Sequence, residues 1–347
     1  MTPHPAALLG LLIAAAQPAC PSLPSLGTLV CIEDITGFVY ARDEASARTM
    51  VKDAHAAREI YRAHFGRWPP RGAIVSAGTQ VSVGAAERAS LRAAGAQWVL
   101  PWIDAADRNR VLEPKIRAGI EQQMPNLSPE AVDAAVKRAL ASIDGEGGGG
   151  DTSMRSAMQH ELGHLWMIAD RWPRFGDEEA AGQTVRHYGG PAADWFDETA
   201  AVLMEDAAMT TGRRALFGAI RRGEHPGEQV AAIADFVTME HPAVAHVRAR
   251  PDPKPGASVM VVTGEEARRV AAGAKAFYAQ ARVFADYLIE RSGRPDVFEA
   301  IADAAAEGRD FASWLARNGA EYGLPTTLPA LELDWQGWIA PAYPPAL

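Results

Sequence analysis

Residues 160–166 read His-Glu-Leu-Gly-His-Leu-Trp, and no other stretch of the chain restricts its fold as strongly. On a helix, His160 and His164 lie on one face because they are four residues apart, so both imidazoles can point at one metal ion. Glu161 lies on the adjacent flank, where it can accept a proton from a water molecule at that metal. This pattern on a helix is typical of zinc hydrolases, with the glutamate as general base. We therefore predict His160 and His164 as Zn²⁺ ligands and Glu161 as a catalytic residue.

The residues on either side favour a helix. Asp151, Thr152 and Ser153 offer side-chain oxygens that can cap its first turn. Trp172-Pro173 ends it, because proline disfavours helical backbone in the residue before it. Apolar residues at roughly helical spacing predict the face that packs on a core; they are Met154, Ala157, Met158, Leu162, Leu165 and Ile168. The alternative is an ordinary helix with two incidental histidines.

A catalytic zinc site needs a third protein ligand and an open fourth position. Asp170 stands where a short-spaced site places its last ligand, but that arrangement needs a tight turn at Met167, where glycine is usual. Glu198 is the better candidate, because residues 193–205 are expected to begin a second helix. Two antiparallel helices that supply two histidines and a glutamate form the site known from thermolysin. The alternative for Glu198 is a solvated glutamate at an acidic helix start, where the helix dipole favours it.

Three stretches together are similar to a known family. They are residues 160–166, residues 195–201 (Trp-Phe-Asp-Glu-Thr-Ala-Ala) and residues 278–288, which open with Tyr278. In this order they resemble the gluzincin metallopeptidases, in particular the aminopeptidase-N-type and peptidase MA-like catalytic domains, with H-E-L-x-H-x-W and W-x-[ND]-E-x-x-A motifs. Residues 331–338 also resemble the end of such domains, so the resemblance covers roughly the second half of the chain.

The resemblance implies a fold and a role for each residue. The fold class is α+β: a thermolysin-like zincin with a mixed α/β N-terminal lobe, a mainly helical C-terminal lobe and the zinc site in the cleft between them. Glu198 matches the third zinc ligand of the family, and Tyr278 matches the tyrosine that supports the transition-state oxyanion. Glu205 matches a second acid near the site, where it can accept the other N–H of a ligand histidine. The alternative for Tyr278 is a helix-surface tyrosine with its ring packed on the core, and the alternative for Glu205 is a solvated helix glutamate.

The implied activity is zinc-dependent hydrolysis of a peptide or protein substrate. Aminopeptidases carry a G-x-M-E-N-like strand that binds the substrate amino terminus, and nothing similar precedes His160, so we expect an endopeptidase. Residues 175–191, rich in glycine, are expected to form a loop near the cleft. Two alternatives stay open: a zinc hydrolase of a non-peptide bond on the same scaffold, and a degenerate domain that only binds peptide or cell-envelope material. The intact Glu161 argues against the latter, because a pure binder needs no base.

The amino terminus predicts export. Residues 6–16 form an apolar run that is too short to span a bilayer but has the length of a signal-peptide core. Small residues suited to cleavage follow, near Ala16 or Ala19. We therefore predict residues 1–19 to be a signal peptide and the mature protein to be periplasmic or secreted.

Two cysteines bear on the same question. Cys20 directly follows the predicted signal peptide and suggests lipoprotein anchoring, but Gln17-Pro18-Ala19 is a poor lipobox, so anchoring is the less favoured prediction. Cys31 is the other cysteine, and in an oxidising compartment we expect it to pair with Cys20. The alternative is two unpaired thiols of an intracellular protein.

Composition sets the remaining limits. With 48% hydrophobic and 22% charged residues, the chain is typical of a soluble globular enzyme. A net charge of −9 argues against nucleic acid as a partner. No further apolar run reaches membrane length, so no integral span is expected in the mature chain. The length of 347 residues allows about two domains, predicted as residues 20–150 (N-terminal α/β lobe with a helical insertion) and 151–347 (zinc-binding helices and helical C-terminal lobe).

The N-terminal lobe is expected to alternate strands and helices. Strands are predicted at residues 38–41, 72–76 and 98–100, and helices at residues 45–65 and 114–143, the latter broken at Pro125 and near Ser128-Pro129. Residues 144–151, with four consecutive glycines, predict a flexible joint. Beyond Asp194 the chain is expected to be mainly helical.

Overall fold

The computed structural model describes residues 20–78, 83–103, 105–146, 151–175, 190–225, 227–248 and 264–345. A strand-bearing amino-terminal part precedes a mainly helical remainder, so the predicted mixture of α and β structure is observed. The likeness to a zincin, and the division into two domains at residue 150, stay predictions.

The sheet has four strands in the order β1-β2-β3-β4. They are β1 (Val30–Asp34), β2 (Gly37–Ala41), β3 (Gly72–Val75) and β4 (Val99–Pro101). The first two strands pair antiparallel as a hairpin, and the other neighbours pair parallel. Parallel neighbours need crossover connections, which α1 (Glu44–Phe65) and α2 (Ala85–Ala93) supply.

Successive residues of the strands point to opposite faces of the sheet. One face, with Val39, Ile74 and Leu100, belongs to the main hydrophobic core, which continues through α1 into the helical region. The opposite face forms a smaller core with α2 and the amino-terminal residues. The sheet is thus buried on both sides, as its predominantly apolar strands require.

The helices of the remainder follow in chain order. They are α3 (Ala105–Gln123), α4 (Pro129–Glu146), α5 (Asp151–Arg171), α6 (Asp194–Met204), α7 (Ala207–Arg221), α8 (Ile233–Phe236), α9 (Pro242–Arg248), α10 (Gly264–Ser292), α11 (Val297–Ala306), α12 (Phe311–Asn318) and α13 (Leu328–Ala342). Helix α5 packs between α1 and α6, and α10 packs against both α6 and α7.

The contact between α5 and α6 is close because Gly163 lies in it. A Cβ atom on Gly163 would lie 2.5 Å from the backbone oxygen of Ala200 and 2.7 Å from Cα of Ala201. Only a residue without a side chain permits this approach of the two backbones. Gly163 lies within the His-Glu-x-x-His stretch, and its contact residues follow Glu198 by two and three positions, so the crossing brings the predicted ligands of both helices together.

Several predicted elements are confirmed. Strands β2, β3 and β4 and helix α1 coincide with the predicted elements to within a residue or two. Helix α1 begins there because the Asp43 carboxylate accepts a hydrogen bond from the Ser46 N–H (2.8 Å), and it ends at Gly66, whose φ is 72°. Helix α5 ends at Arg171, before Trp172-Pro173, as predicted. It begins at Asp151, so the three residues expected to cap it are its first three residues.

Other boundaries were wrong. The helix expected from Pro114 begins at Ala105 and continues through that proline, which cannot donate to the preceding turn. Near its start the buried Asp107 lies 2.9 Å from Arg110 on the same helix and 2.7 Å from Arg42, a tertiary ion pair that no local pattern reveals. The expected joint also begins too early, because residues 144–146 still belong to α4. Residues 147–150 lie outside the described part. Strand β1 and helix α2 were not predicted.

The buried face of α5 is broader than the predicted stripe. Met158 and Leu162 are buried as expected, whereas four other members, Met154, Ala157, Leu165 and Ile168, are only partly buried. Trp166 and Met167 are fully buried instead. The difference arises because α5 contacts helices on two sides, so a single stripe underestimates its buried surface.

Residues 20 and 21, the first that the structure describes, are linked to the sheet. Cys20 and Cys31 form a disulfide, which confirms the predicted pairing and is consistent with export. The Tyr40 hydroxyl donates a hydrogen bond to the Pro21 carbonyl (2.7 Å). The predicted signal peptide, residues 1–19, lies outside the described residues. Among the helices that are described, none combines the length and apolar character needed to cross a membrane.

Candidate metal centre

Three side chains converge between α5 and α6. His160 and His164 come from α5 and Glu198 from the first turns of α6, and their ligand-type atoms all lie within 4.8 Å of one another. Nε2 of His160 lies 3.5 Å from Oε2 of Glu198, and Nε2 of His164 lies 3.8 Å from Oε1. Ligands bound at 2.0–2.2 Å around a tetrahedral ion lie roughly 3.3–3.6 Å apart. The two separations are at or slightly above this range, so the three side chains are close enough to hold one metal ion.

The surroundings of the Glu198 carboxylate bear on whether this group can hold a cation. It is fully buried, and neither oxygen accepts a hydrogen bond from any residue in the described ranges. Burial raises the pKa of Glu198, against the effect of the two nearby histidines. A buried carboxylate without a donor is costly, whereas one that binds a metal is not. The residues present therefore fit a divalent cation, and two imidazoles with one carboxylate are a donor set typical of zinc.

Each histidine is oriented by a carboxylate of its own. Nδ1 of His160 donates a hydrogen bond to Oε1 of Glu205 (2.9 Å), and Nδ1 of His164 lies 3.1 Å from Oδ1 of Asp197. With Nδ1 directed at a carboxylate, Nε2 of each ring is the atom that remains for a metal. Glu205 therefore lies beside His160, as predicted, whereas the role of His160 as a metal ligand stays a prediction.

Electrostatics of these pairs follow from burial and charge. Burial lowers the pKa of His164, but Asp197 together with Glu198 and Glu161 outweighs that effect and raises the pKa to about 10. Burial would raise the pKa of Glu205, but hydrogen bonds from His160 and Arg213 prevail and lower it. Glu205 is therefore an anion beside the candidate site at neutral pH.

Glu161 is exposed, in contrast to the residues on either side of it. Its negative charge raises the pKa values of both His164 and Glu198, so its carboxylate lies within electrostatic range of the converging group. An exposed carboxylate on the flank of the two histidines is available to solvent and to a bound molecule.

Tyr278 lies beside the same group, on α10. The centroid of its ring is 5.8 Å from that of the His160 ring. Cζ of Arg213, which belongs to α7, lies 4.8 Å from the centroid of the Tyr278 ring. The ring of Tyr278, 80 positions beyond Glu198 in the chain, is thus brought to the candidate ligands by the packing of α10.

His241 is a further group at the site that the sequence did not reveal. Its Nε2 lies 3.8 Å from Oε1 of Glu198, and its ring centroid is 5.3 Å from that of Tyr278. Nδ1 accepts a hydrogen bond from the Ala243 N–H (3.2 Å), so the proton of the neutral ring is on Nε2, facing Glu198. Burial and the charge of His164 lower the pKa of His241 to about 4. His241 is therefore a neutral donor at the site rather than a ligand.

Asp170, the rival third ligand, lies elsewhere. Its carboxylate accepts a hydrogen bond from the Tyr61 hydroxyl (3.1 Å) and contacts Arg171 (3.5 Å). An unbroken helix carries it away from His164, and Glu198 takes the place beside the two histidines.

Two contributors were missed for different reasons. Asp197 stands directly before Glu198 in residues 195–201, so the sequence contains it without indicating that it faces His164. His241 had no signal apart from the scarcity of histidine, since its position depends on the Asp194 carboxylate, which accepts a hydrogen bond from the His241 backbone N–H (2.6 Å). The expected loop near the cleft lies almost entirely in residues 176–189, outside the described ranges.

Comparison of the chain with models of protein families, with curated proteins and with solved structures gives no match.

Proposed function

We propose that the chain is a zinc-dependent hydrolase of the gluzincin type that cleaves internal peptide bonds. The observation that carries this proposal is the buried Glu198 carboxylate, which has no hydrogen-bond donor among the described residues and lies 3.5 and 3.8 Å from Nε2 of His160 and His164. The resemblance of residues 160–166 and 195–201 to the family motifs supports the same ligand set.

The chemistry assigns different tasks to buried and exposed groups. Zinc in such a site supplies a water of lowered pKa and polarises the scissile carbonyl. Glu161, exposed beside the ligands, accepts the proton of the attacking water and delivers it to the leaving amine. Histidines His160 and His164 keep their orientation through Glu205 and Asp197.

Two side chains can donate to the negative charge that develops on the carbonyl oxygen. Tyr278 is the donor expected from the family resemblance, and His241 carries its proton on the nitrogen that faces the ligands. Removal of one such positioned donor costs roughly 3–4 kcal/mol in the transition state. Neither residue belongs to the three candidate metal ligands.

The proposal is tested with Glu161→Gln, which keeps the size of the side chain and removes the base. We expect the variant to bind zinc as the unmodified protein does and to lose turnover of a library of quenched peptides blocked at both ends. Glu290→Gln is the matched control, since Glu290 is an exposed glutamate twelve residues beyond Tyr278 on α10.

The outcome separates the candidate activities. Cleavage of peptides with blocked termini supports an endopeptidase, and cleavage only of peptides with unblocked ends would contradict that part of the proposal. Unchanged turnover in Glu161→Gln would refute the assignment of the base. Absence of peptide cleavage by zinc-loaded protein would favour a non-peptide substrate or a domain that only binds.

A further inference from the structure

Arg213 contacts two different parts of the candidate centre. It lies on α7, and its side chain is 17% exposed. Its Nη2 donates to Oε1 of Glu205 (2.8 Å) and its Nε to Oε2 (3.2 Å), so the guanidinium engages both carboxylate oxygens. On its other side, Cζ lies 4.8 Å from the ring centroid of Tyr278.

We propose that Arg213 is a positioning residue that sets the orientation of His160 through Glu205 and the place of the Tyr278 ring at the same time. The inference rests on the proposed function, in which His160 is a metal ligand and Tyr278 a donor to the substrate oxygen. It adds a residue from a helix that carries no motif.

The first connection runs through a shared oxygen. Oε1 of Glu205 accepts from Nδ1 of His160 (2.9 Å) as well as from Arg213. A carboxylate held by a single donor can rotate, but a guanidinium fork that binds both oxygens restrains its plane. The plane of the carboxylate in turn restrains the imidazole. Partners of this kind typically contribute a factor of ~10–100 to metal affinity.

The second connection is through the ring of Tyr278. Arginine over an aromatic ring is held by a cation–π contact, and the planar guanidinium also packs on it. The same ring lies 5.8 Å from the His160 ring and 5.3 Å from the His241 ring, measured between centroids. The Tyr278 ring is therefore bordered by Arg213 as well as by the two histidine rings. A displaced Arg213 would leave the ring room to move away from the ligands.

Lysine cannot replace arginine in this double contact. An ammonium group is a point charge on a flexible stem, so it can neutralise Glu205 but cannot engage both oxygens in a fork and pack flat on Tyr278 at once. Arg213→Lys thus separates positioning from charge, and Arg213→Met removes both.

The adjacent arginine supplies a matched control. Arg214 also forms a two-pronged ion pair with a carboxylate, at 2.7 and 2.8 Å to Asp286, but its side chain is 44% exposed. Arg214→Lys changes the same residue type, on the same helix, in the same kind of pair. It should leave both the metal affinity and the kinetic constants within about twofold, since surface pairs contribute little.

The experiment measures zinc affinity by competition with a chromogenic chelator, and kcat and KM on a cleaved peptide. We expect Arg213→Lys to weaken zinc binding by about 10-fold and Arg213→Met by up to ~100-fold. With zinc saturating, kcat should fall by at least ~10-fold, a part of what loss of an oxyanion donor costs, while KM changes less.

Two double-mutant cycles distinguish positioning from general stability. In zinc affinity, Arg213→Met should add little once Glu205→Gln is present, and in kcat it should add little once Tyr278→Phe is present. Additive effects in both cycles would overturn the proposal, as would an Arg213→Lys variant that behaves like Arg214→Lys. Should Arg213→Met fail to fold, the Lys variant and its cycles decide the question.

The zinc measurement also separates this inference from the proposed function. If the unmodified protein binds zinc and the Arg213 variants bind it equally well, the inference is wrong and the proposed function stands. If the unmodified protein binds no zinc, both fall. If Arg213 variants lose zinc affinity but no peptide is cleaved by the unmodified protein, the connection through Glu205 holds and the peptidase assignment fails.

Discussion

Nδ1 of His164 lies 3.1 Å from the carboxylate of Asp197, the residue directly before Glu198. One turn of α6 therefore provides a candidate ligand and also the anion that orients another ligand on α5. His160 is held in the same way by Glu205, just beyond the end of α6. Because each ring directs Nδ1 at its own carboxylate, both Nε2 atoms face Glu198, and this arrangement has consequences that can be measured.

Asp197→Asn should weaken zinc binding by about 10–100-fold, because the neutral amide orients His164 less firmly and does not raise its basicity. Asn has nearly the same shape as Asp, so the fold should be retained. Chelator competition at pH 7 measures the change.

Asp170→Asn is the control for this substitution. Asp170 is on the same helix as the histidines but contacts Tyr61 and Arg171, so its loss should leave zinc affinity unchanged. An Asp170 variant that loses zinc while Asp197→Asn keeps it would show that the ligand set was assigned wrongly.

Zinc binding should release at least one proton at pH 7. In the metal-free protein the pKa of His164 is raised from 6.5 to about 10, so the ring is protonated at neutral pH and must lose that proton before Nε2 can bind zinc. Affinity should therefore rise with pH throughout the range below about 10, by as much as ~10-fold per unit. Calorimetry in buffers of different ionisation enthalpy counts the protons released.

The direction of this effect follows from the sign of the shift. A raised histidine pKa favours the protonated, metal-free state at low pH, so acid opposes zinc binding. Asp197→Asn removes the main charge that raises the pKa and should release fewer protons. An affinity that does not change between pH 6 and 8 would contradict the prediction.

Gly163→Ala should lower the free energy of unfolding by ~1–3 kcal/mol, the usual cost of overpacking. The new Cβ would meet backbone atoms of Ala200 and Ala201 at 2.5 and 2.7 Å, and backbone cannot move aside as a side chain can. Separation of α5 from α6 should also weaken zinc binding. Denaturant unfolding and chelator competition measure the two effects.

Gly119→Ala is the matched control. Gly119 lies inside helix α3, and a Cβ added there meets nothing within 4 Å. Alanine is favoured over glycine in a helix by about 1 kcal/mol, so this variant should be as stable or more stable. If Gly163→Ala were equally well tolerated, close approach of α5 and α6 would not be what assembles the site.

Much of the candidate site could be predicted from local spacing. His160 and His164 converge because a helix repeats every 3.6 residues, a property of the backbone that does not depend on the rest of the fold. Glu161 is exposed for the same reason, since it lies on the next flank of the helix. The place of Glu198 required the further hypothesis that a second helix packs on the first, which the crossing at Gly163 satisfies.

Less of the fold could be predicted. Short continuous apolar runs were enough for β2, β3 and β4, whereas β1 is only partly buried along its length and lacks a clear pattern. Near the start of α3, the buried Asp107 pairs with Arg42, which lies between β2 and α1, and with Arg110 on α3 itself. The pair with Arg42 joins positions far apart in the chain and leaves no periodic signal.

The sequence alone was enough to predict the pair of candidate ligand histidines, the candidate base beside it and the pairing of Cys20 with Cys31, because these depend on short-range geometry or on simple counting. The partners of the two histidines could not be predicted in this way. The packing of α6, α7 and α10 around α5 decides which carboxylate faces which ring. Tertiary packing also brings His241, Tyr278 and Arg213 together. Contacts between helices depend on the shapes of whole surfaces, and those surfaces exist only once the chain has folded.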